Sequence, residues 1–415
     1  MKKTGVYFPG LNGLRFMAAF AVIITHIELI KSYLQLAHRW DDIWEQLHRP
    51  FETPFSGIKD GNIHWVSPMV AEAGPLGVIF FFVLSGFLIT YLLFVEKEKT
   101  GSIGIRKFYM RRILRIWPLY YLVFILGFFV FPHIDLFLVP KQIPALTEHF
   151  WINFFCYVTI FPNLATAMFI DEALVVSNIS QAWSIGVEEQ FYLIWPVILG
   201  FAKKPLKALI VTTGIMVGIK TIVLFMQPSF RDLDWFLTLK NFLVMSKIEC
   251  MTIGGLMAWL LFHKKAKWLS FLYSRKVQLG AFIIIPFLLY FTPVIIQDGI
   301  HLVYALAFAI IILNVSSNKY TLISLENPFL NGLGKISYGI YMYHLLVIVL
   351  VLNSMKLFMD DDVHKLTYVQ EIMLYSLSIG LTLGISYLSY HYFERLFIQR
   401  KRRYTQVVSG DEART

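Results

Sequence analysis

Residues 74–95 read GPLGVIFFFVLSGFLITYLLFV, a run without a single charged side chain. About 20 apolar residues carry a helix across the hydrocarbon core of a bilayer, so this stretch is read as a transmembrane helix. Blocks of the same kind lie to either side, at about 11–31, 113–132, 185–202, 207–227, 244–262, 277–293, 299–315, 336–355 and 370–393. The composition agrees: 57% of the residues are hydrophobic and only 15% charged, against about 45–50% and about 25% in an ordinary soluble domain. Disorder is excluded by 37 Phe, 21 Tyr and 10 Trp. The expected fold class is all-α, a polytopic transmembrane helix bundle of about ten spans.

The net charge of +10 does not point to nucleic acid, because Lys and Arg sit in short clusters between the apolar blocks. Such clusters mark cytoplasmic loops. With ten spans and a cytoplasmic N-terminus, 24 of the 37 Lys and Arg residues fall inside and eight outside. An eleventh apolar block, 145–162, carries Glu148, His149 and Asn153. If it crossed, the cluster Lys203, Lys204 and Lys207 and every later basic loop would be turned outside. It is therefore read as an interfacial or re-entrant segment of an outer loop, with both termini cytoplasmic. The longest outer loops, 32–73 and 133–184, are where an extracytoplasmic substrate is expected to be gripped. The first block is interrupted by Arg15 and His26 and lacks a small-residue cleavage site, so it is read as a retained span and not a signal peptide. Cys156 and Cys250 lie in apolar surroundings, which predicts neither a disulfide framework nor a metal site.

Ionisable groups inside a span cost about 2.5–3.5 kcal/mol or more, and each is a functional candidate. Arg15 and His26 in LNGLRFMAAFAVIITHIE are eleven residues apart. They share a face of one helix, about 16 Å apart along its axis. The competing readings are snorkelling for Arg15 and an interhelical hydrogen bond for His26; Glu28 points elsewhere on the helix. RKFYMRRILRIWPLYY places Arg112 and Arg115 three apart at the cytoplasmic start of the third span. Guanidinium forks there suit phosphate, although basic residues at such a start are also explained by topology alone. SQAWSIGVEEQFYLIWP sets Ser184, Glu188 and Glu189 at an outer helix start, either as a capping arrangement or with one carboxylate orienting His26. ISYGIYMYH supplies Tyr338, Tyr341, Tyr343 and His344, for which an aromatic belt is an equal alternative. Ser85-Gly86 is read as close helix packing without chemistry. Asn178-Ile179-Ser180 fits a glycosylation sequon that short sequences match by chance.

Taken in order, LNGLRFMAAFAVIITH, GVIFFFVLSGFLIT, RRILRIWPLYY, WSIGVEEQFYLIWP, ISYGIYMYH and YHYFERLF resemble the acyltransferase 3 family of integral-membrane acyltransferases. Arg15 and His26 match its basic-residue-x10-His motif, and Arg112 and Arg115 its Arg-x-x-Arg motif. The sequence departs from the family at Asn12, Ile79 and Leu396, where Asp, a polar residue and Pro are common. The resemblance implies an acyltransferase 3-like membrane domain over 1–395, with 396–415 as a basic cytoplasmic tail, in a bacterial inner (plasma) membrane. It implies O-acetylation of a cell-envelope polysaccharide, a glycan or a lipid-linked sugar, with acetyl-CoA as donor and no metal. Membrane lipids are the other expected partner. Some relatives carry a fused esterase-like domain. This sequence shows none, so the chain is expected either to acylate the final acceptor itself or to rely on a separate partner.

On this reading Arg15, Arg112 and Arg115 hold the donor, and His26 is the general base on the acceptor hydroxyl. Glu188 or Glu189 fixes the imidazole, as the carboxylate does in a hydrolase triad. The rival from another class is a transporter or flippase of a lipid-linked sugar, which would use intramembrane charges as a path. The paired internal repeats of many transporters are not visible here. A further alternative within the enzyme class is acylation of a small hydroxylated metabolite.

Overall fold

The computed structural model describes residues 5–33, 68–139, 146–169, 176, 178–230, 232–291, 299–359 and 366–410. Arg39, Arg49, Lys59, Lys141, Arg231 and Lys365, Lys2, Lys3 and Arg414, and most of loop 32–73 lie outside the described residues.

A short strand β1 (Gly5–Val6) leads into α1 (Leu11–Tyr33) through Gly10, whose positive φ of 72° favours glycine. The carboxylate of Glu326 fixes this turn, accepting from Gly10 N at 2.7 Å and from the Tyr7 hydroxyl at 2.6 Å. Next come α2 (Pro68–Thr100) and α3 (Ile105–Ile125). The end of α3 loosens into a π turn, Leu126–Val130, and two 3-10 turns. The short α4 (Phe150–Val158) and α5 (Pro162–Met168) follow. Beyond them run α6 (Ala182–Phe201), α7 (Pro205–Phe230), α8 (Asp234–Met245) and α9 (Ile248–Phe262). The next helices are α10 (Ala266–Leu272), α11 (Arg275–Phe291), α12 (Ile300–Ser317) and α13 (Pro328–Lys335). The chain ends with α14 (Ser337–Lys356), α15 (Tyr368–Ser389), a π turn at Tyr390–Glu394, α16 (Arg395–Lys401) and strand β2 (Val408–Ser409).

The protein is a polytopic helical bundle. Among the described residues eight helical stretches are long and apolar enough to cross a membrane, and α10 with α11, bent by 54°, makes a ninth. The remaining block of the ten, α6, falls short in hydropathy because Glu188, Glu189 and Gln190 interrupt it, yet more than half of its residues are buried in the bundle. Segment 145–162 forms no span: α4 has nine residues, about 14 Å at 1.5 Å per residue, and turns into α5. The Asn178 sequon is inside the fold. Asn178 is 2% exposed and its amide donates to the Phe137 carbonyl at 3.0 Å.

At the centre, α2 packs against α1 and α9, and α14 against α1 and α15. The α2–α9 contact is made backbone to backbone. A Cβ at Gly86 would collide with the Met251 carbonyl, and one at Gly254 with the Val83 carbonyl. Bilayer helices gain their association from such close approach. The chain ends meet: β2 pairs in parallel with β1, Gly5 opposite Val408 and Val6 opposite Ser409. Both therefore lie at one end of the bundle, beside the basic start of α3, on which α16 packs. This end is called the basic face below.

Candidate active site

Three arginines open the site. Arg111, Arg112 and Arg115 stand in the second and third turns of α3 around a cleft open to solvent, whose lining includes Phe108 and Glu96. Cations three and four residues apart on one helix face repel one another, so the arrangement calls for anions. Arg111 has one: its guanidinium donates to Glu96 at 2.7 Å and to the Tyr404 carbonyl at 2.9 Å. Arg112 lies over the rings of Phe108 and Tyr192, 5.5 and 5.2 Å from their centroids, and its buried Nε has no hydrogen-bond partner. Arg115 lies over Tyr338 at 5.9 Å, with the Glu394 carboxylate 3.7 Å away. Planar guanidinium allows this stacking while its N–H groups still face a ligand. Arg15, held by Asn12 at 3.2 Å, interacts electrostatically with Arg112, Arg115 and Glu188. The three arginines singled out in the sequence are thus brought together.

The two glutamates of α6 sit further into the bundle. Glu188 accepts from the hydroxyls of Ser85 and Tyr192. Glu189 accepts from Trp117 Nε1 at 2.9 Å through one oxygen, while the other is buried without a partner. The expected contact of either with His26 is not made. Nor is the capping arrangement: α6 begins before Ser184, whose hydroxyl pairs instead with that of Tyr341 at 2.6 Å.

The partner of His26 is His344. Nδ1 of His26 lies 2.8 Å from the Val22 carbonyl and 3.3 Å from His344 Nε2, with the ring centroids 4.8 Å apart. A carbonyl accepts only, so Nδ1 carries the proton and the lone pair of His26 is on Nε2. His344 is fully buried. Its Nδ1 donates to the Tyr341 carbonyl at 2.7 Å, which leaves its own Nε2 as an acceptor towards His26. The site therefore has a basic mouth on α3, a waist at Glu188 and Tyr192, and a histidine pair on α1 and α14. Tyr341 bridges the last two: its ring is 5.7 Å from His344, its hydroxyl bonds Ser184 of α6, and it interacts electrostatically with Glu188.

The sequence pattern of the acyltransferase-domain family matches residues 8–391, enclosing the arginines, the two glutamates of α6 and the histidine pair, with Glu394 and Tyr404 beyond it. The chain belongs to the acyltransferase 3 family. A relative from Staphylococcus aureus strain COL is 26% identical over 401 residues, 94% of this chain and 57% of its own length. The O-acetyltransferase OatA of Staphylococcus aureus strain NCTC 8325 is 23% identical over 395 residues, 89% of this chain and 55% of OatA. The peptidoglycan O-acetyltransferase OatA of Listeria monocytogenes is 29% identical over 215 residues, 50% of this chain and 27% of that protein. The chain spans about half the length of the curated relatives it matches over most of its own sequence. No solved structure matches it.

Four residues of this site carry weak signals in the sequence or none. Ser85, read as packing, donates to Glu188. Trp117 and Tyr192 carry no signal that sets them apart from the other aromatics, and His344 is one polar group among tyrosines. Each sits in an apolar run as a group needing a partner, which is the signal available. Elsewhere, folding assembles a group that sequence spacing did not suggest. Ligand atoms of Glu249, Cys250 and His301 lie within 4.8 Å of one another. Lys220 and His301 both contact one oxygen of Glu249, so the carboxylate is already neutralised by an ammonium. Lys31 similarly joins Glu28 and Glu371, each at 3.1 Å.

Proposed function

We propose that this membrane protein is an O-acyltransferase that moves an acetyl group from acetyl-CoA, taken up at the cytoplasmic basic face, to a hydroxyl of an extracytoplasmic glycan or lipid-linked sugar. The observation that carries the reading is the His26 tautomer: Nδ1 is occupied by the Val22 carbonyl, so Nε2 faces the reaction as a base. Arg112 and Arg115 hold the donor phosphates, with Arg15 deeper in the same charge cluster. His26 Nε2 accepts the proton of the acceptor hydroxyl as its oxygen bonds to the acetyl carbon. The carbon–sulfur bond breaks, and the CoA thiolate leaves with the proton that His26 returns. The imidazolium formed in between is stabilised through Nδ1–H by the Val22 carbonyl and His344 Nε2, so a neutral imidazole fills the place a carboxylate holds in a hydrolase triad. Glu188 and Glu189 organise the waist from a distance: Glu188 balances Arg15 and anchors Tyr192, and Glu189 anchors Trp117. The names of the OatA relatives support a cell-envelope acceptor, and family membership supports acyl transfer.

The test is purified protein in liposomes with acetyl-CoA labelled on the acetyl group and peptidoglycan fragments as acceptor. Label on the acceptor, or CoA release, is expected from the wild type and absent from His26→Ala. Normal turnover by His26→Ala would remove the base assignment. A wild type that does not bind CoA would remove the donor and return the transporter reading.

A further inference from the structure

Residues 401–409 are held against the basic mouth. Lys401, Thr405, Val407 and Ser409 line the same cleft as Arg112 and Arg115. Three separate ties keep them there. The β1–β2 pairing fixes Val408 and Ser409, and Arg111 bridges the Tyr404 carbonyl to Glu96. Gln406, with its amide turned to suit both neighbours, donates to Glu96 and accepts from Lys107 at 3.0 Å. Val407 is buried at 8% exposure. The cleft is thus lined by α3, by Ile89, Leu92, Leu93 and Glu96 of α2, and by residues far along the chain.

We infer that the segment 401–409 is the second wall of the donor site and binds the 3′-phosphorylated nucleotide end of acyl-CoA. The inference rests on acyl-CoA being the donor. A thin pantetheine arm suits the apolar interior, whereas a bulky nucleotide with several phosphates must stay where cations and water are. Arg111 is committed to Glu96 and the tail, which leaves Arg112 and Arg115 on one wall. Lys401 supplies a cation to the same cleft from a separate element, the end of α16. Charges on two sides of a cleft enclose a polyanion where a single row only attracts it. The apolar Ile89, Leu92, Leu93, Phe108 and Val407 of the lining offer a surface for the base. The tail is therefore part of the binding site for the nucleotide.

The test measures binding of CoA and of S-acetyl-pantetheine, which lacks the nucleotide, to the full chain in nanodiscs. Lys401→Gln is expected to raise the Kd for CoA about tenfold, the loss of one charge-assisted contact, and to leave S-acetyl-pantetheine unchanged. Val408→Pro, which breaks the strand pairing, is expected to raise the CoA Kd similarly. Lys203→Gln, a control basic residue outside the cleft, is expected to change nothing. CoA is also expected to slow amide exchange over 401–409. Wild-type CoA affinity in both tail variants overturns the inference, as does an equal loss for both ligands. Failure of the wild type to bind CoA removes the donor reading itself, an outcome distinct from either.

Discussion

His26 and His344 divide one task between two rings. In the proposed reaction the first presents a lone pair to the acceptor hydroxyl, while the second accepts from Nδ1 of the same imidazole. His26→Ala is expected to lower kcat by about 10²–10⁴-fold, the usual contribution of a general base. His344→Ala is expected to cost about tenfold, one hydrogen bond of roughly 1–1.5 kcal/mol. Steady-state rates of both variants check this ranking, and equal losses would count against it. Trp117→Phe strips Glu189 of its only hydrogen-bond donor among the described residues. A buried acceptor left unpaired costs about 1–3 kcal/mol, so this variant is expected to melt earlier in detergent. Arg15, His26, Arg112 and Arg115 were legible because an ionisable side chain in an apolar run stands out on its own. Their partners were not. Ser85 meets Glu188 across 103 positions and His26 meets His344 across 318, and no local periodicity encodes which helices face each other.

Helices were the most legible level, since an apolar block reports a helix without knowledge of its neighbours. The exceptions have physical causes. α6 is lined with acids because it faces the site, so its hydropathy understates its burial. Segment 145–162 is aromatic, yet it breaks at Ile160, whose φ of 61° is positive, and divides into α4 and α5. Gly86 and Gly254 show what a packing motif means at this scale, since each faces a carbonyl of the opposing helix. Gly254→Ala is expected to push α9 off α2 and destabilise the fold by about 1–3 kcal/mol, as overpacking does. A lower melting temperature in nanodiscs, with Gly280→Ala unchanged as a control in open space, is the outcome to look for. α15 begins with a capping box in which Thr367 and Gln370 bond reciprocally. Thr367→Ala is expected to cost about 1 kcal/mol, read by the same melt.

For the whole molecule, the charge asymmetry predicts which side each face meets. In a background with Cys156 and Cys250 replaced by alanine, Lys265→Cys is expected to react with an impermeant thiol reagent from the cytoplasm only. Asp232→Cys is expected to react from the opposite side only. Labelling of both from one side would break the ten-span topology. The pairing of β1 with β2 has a further consequence, for the timing of synthesis. Gly5 and Val6 are made before the described helices of the bundle, and their partners Val408 and Ser409 after all of them. No shorter nascent chain can close this junction. The pairing thus joins early and late parts of the chain: a half-made chain, even one with His26 already in the bilayer, lacks the residues that line one side of the cleft at the basic face.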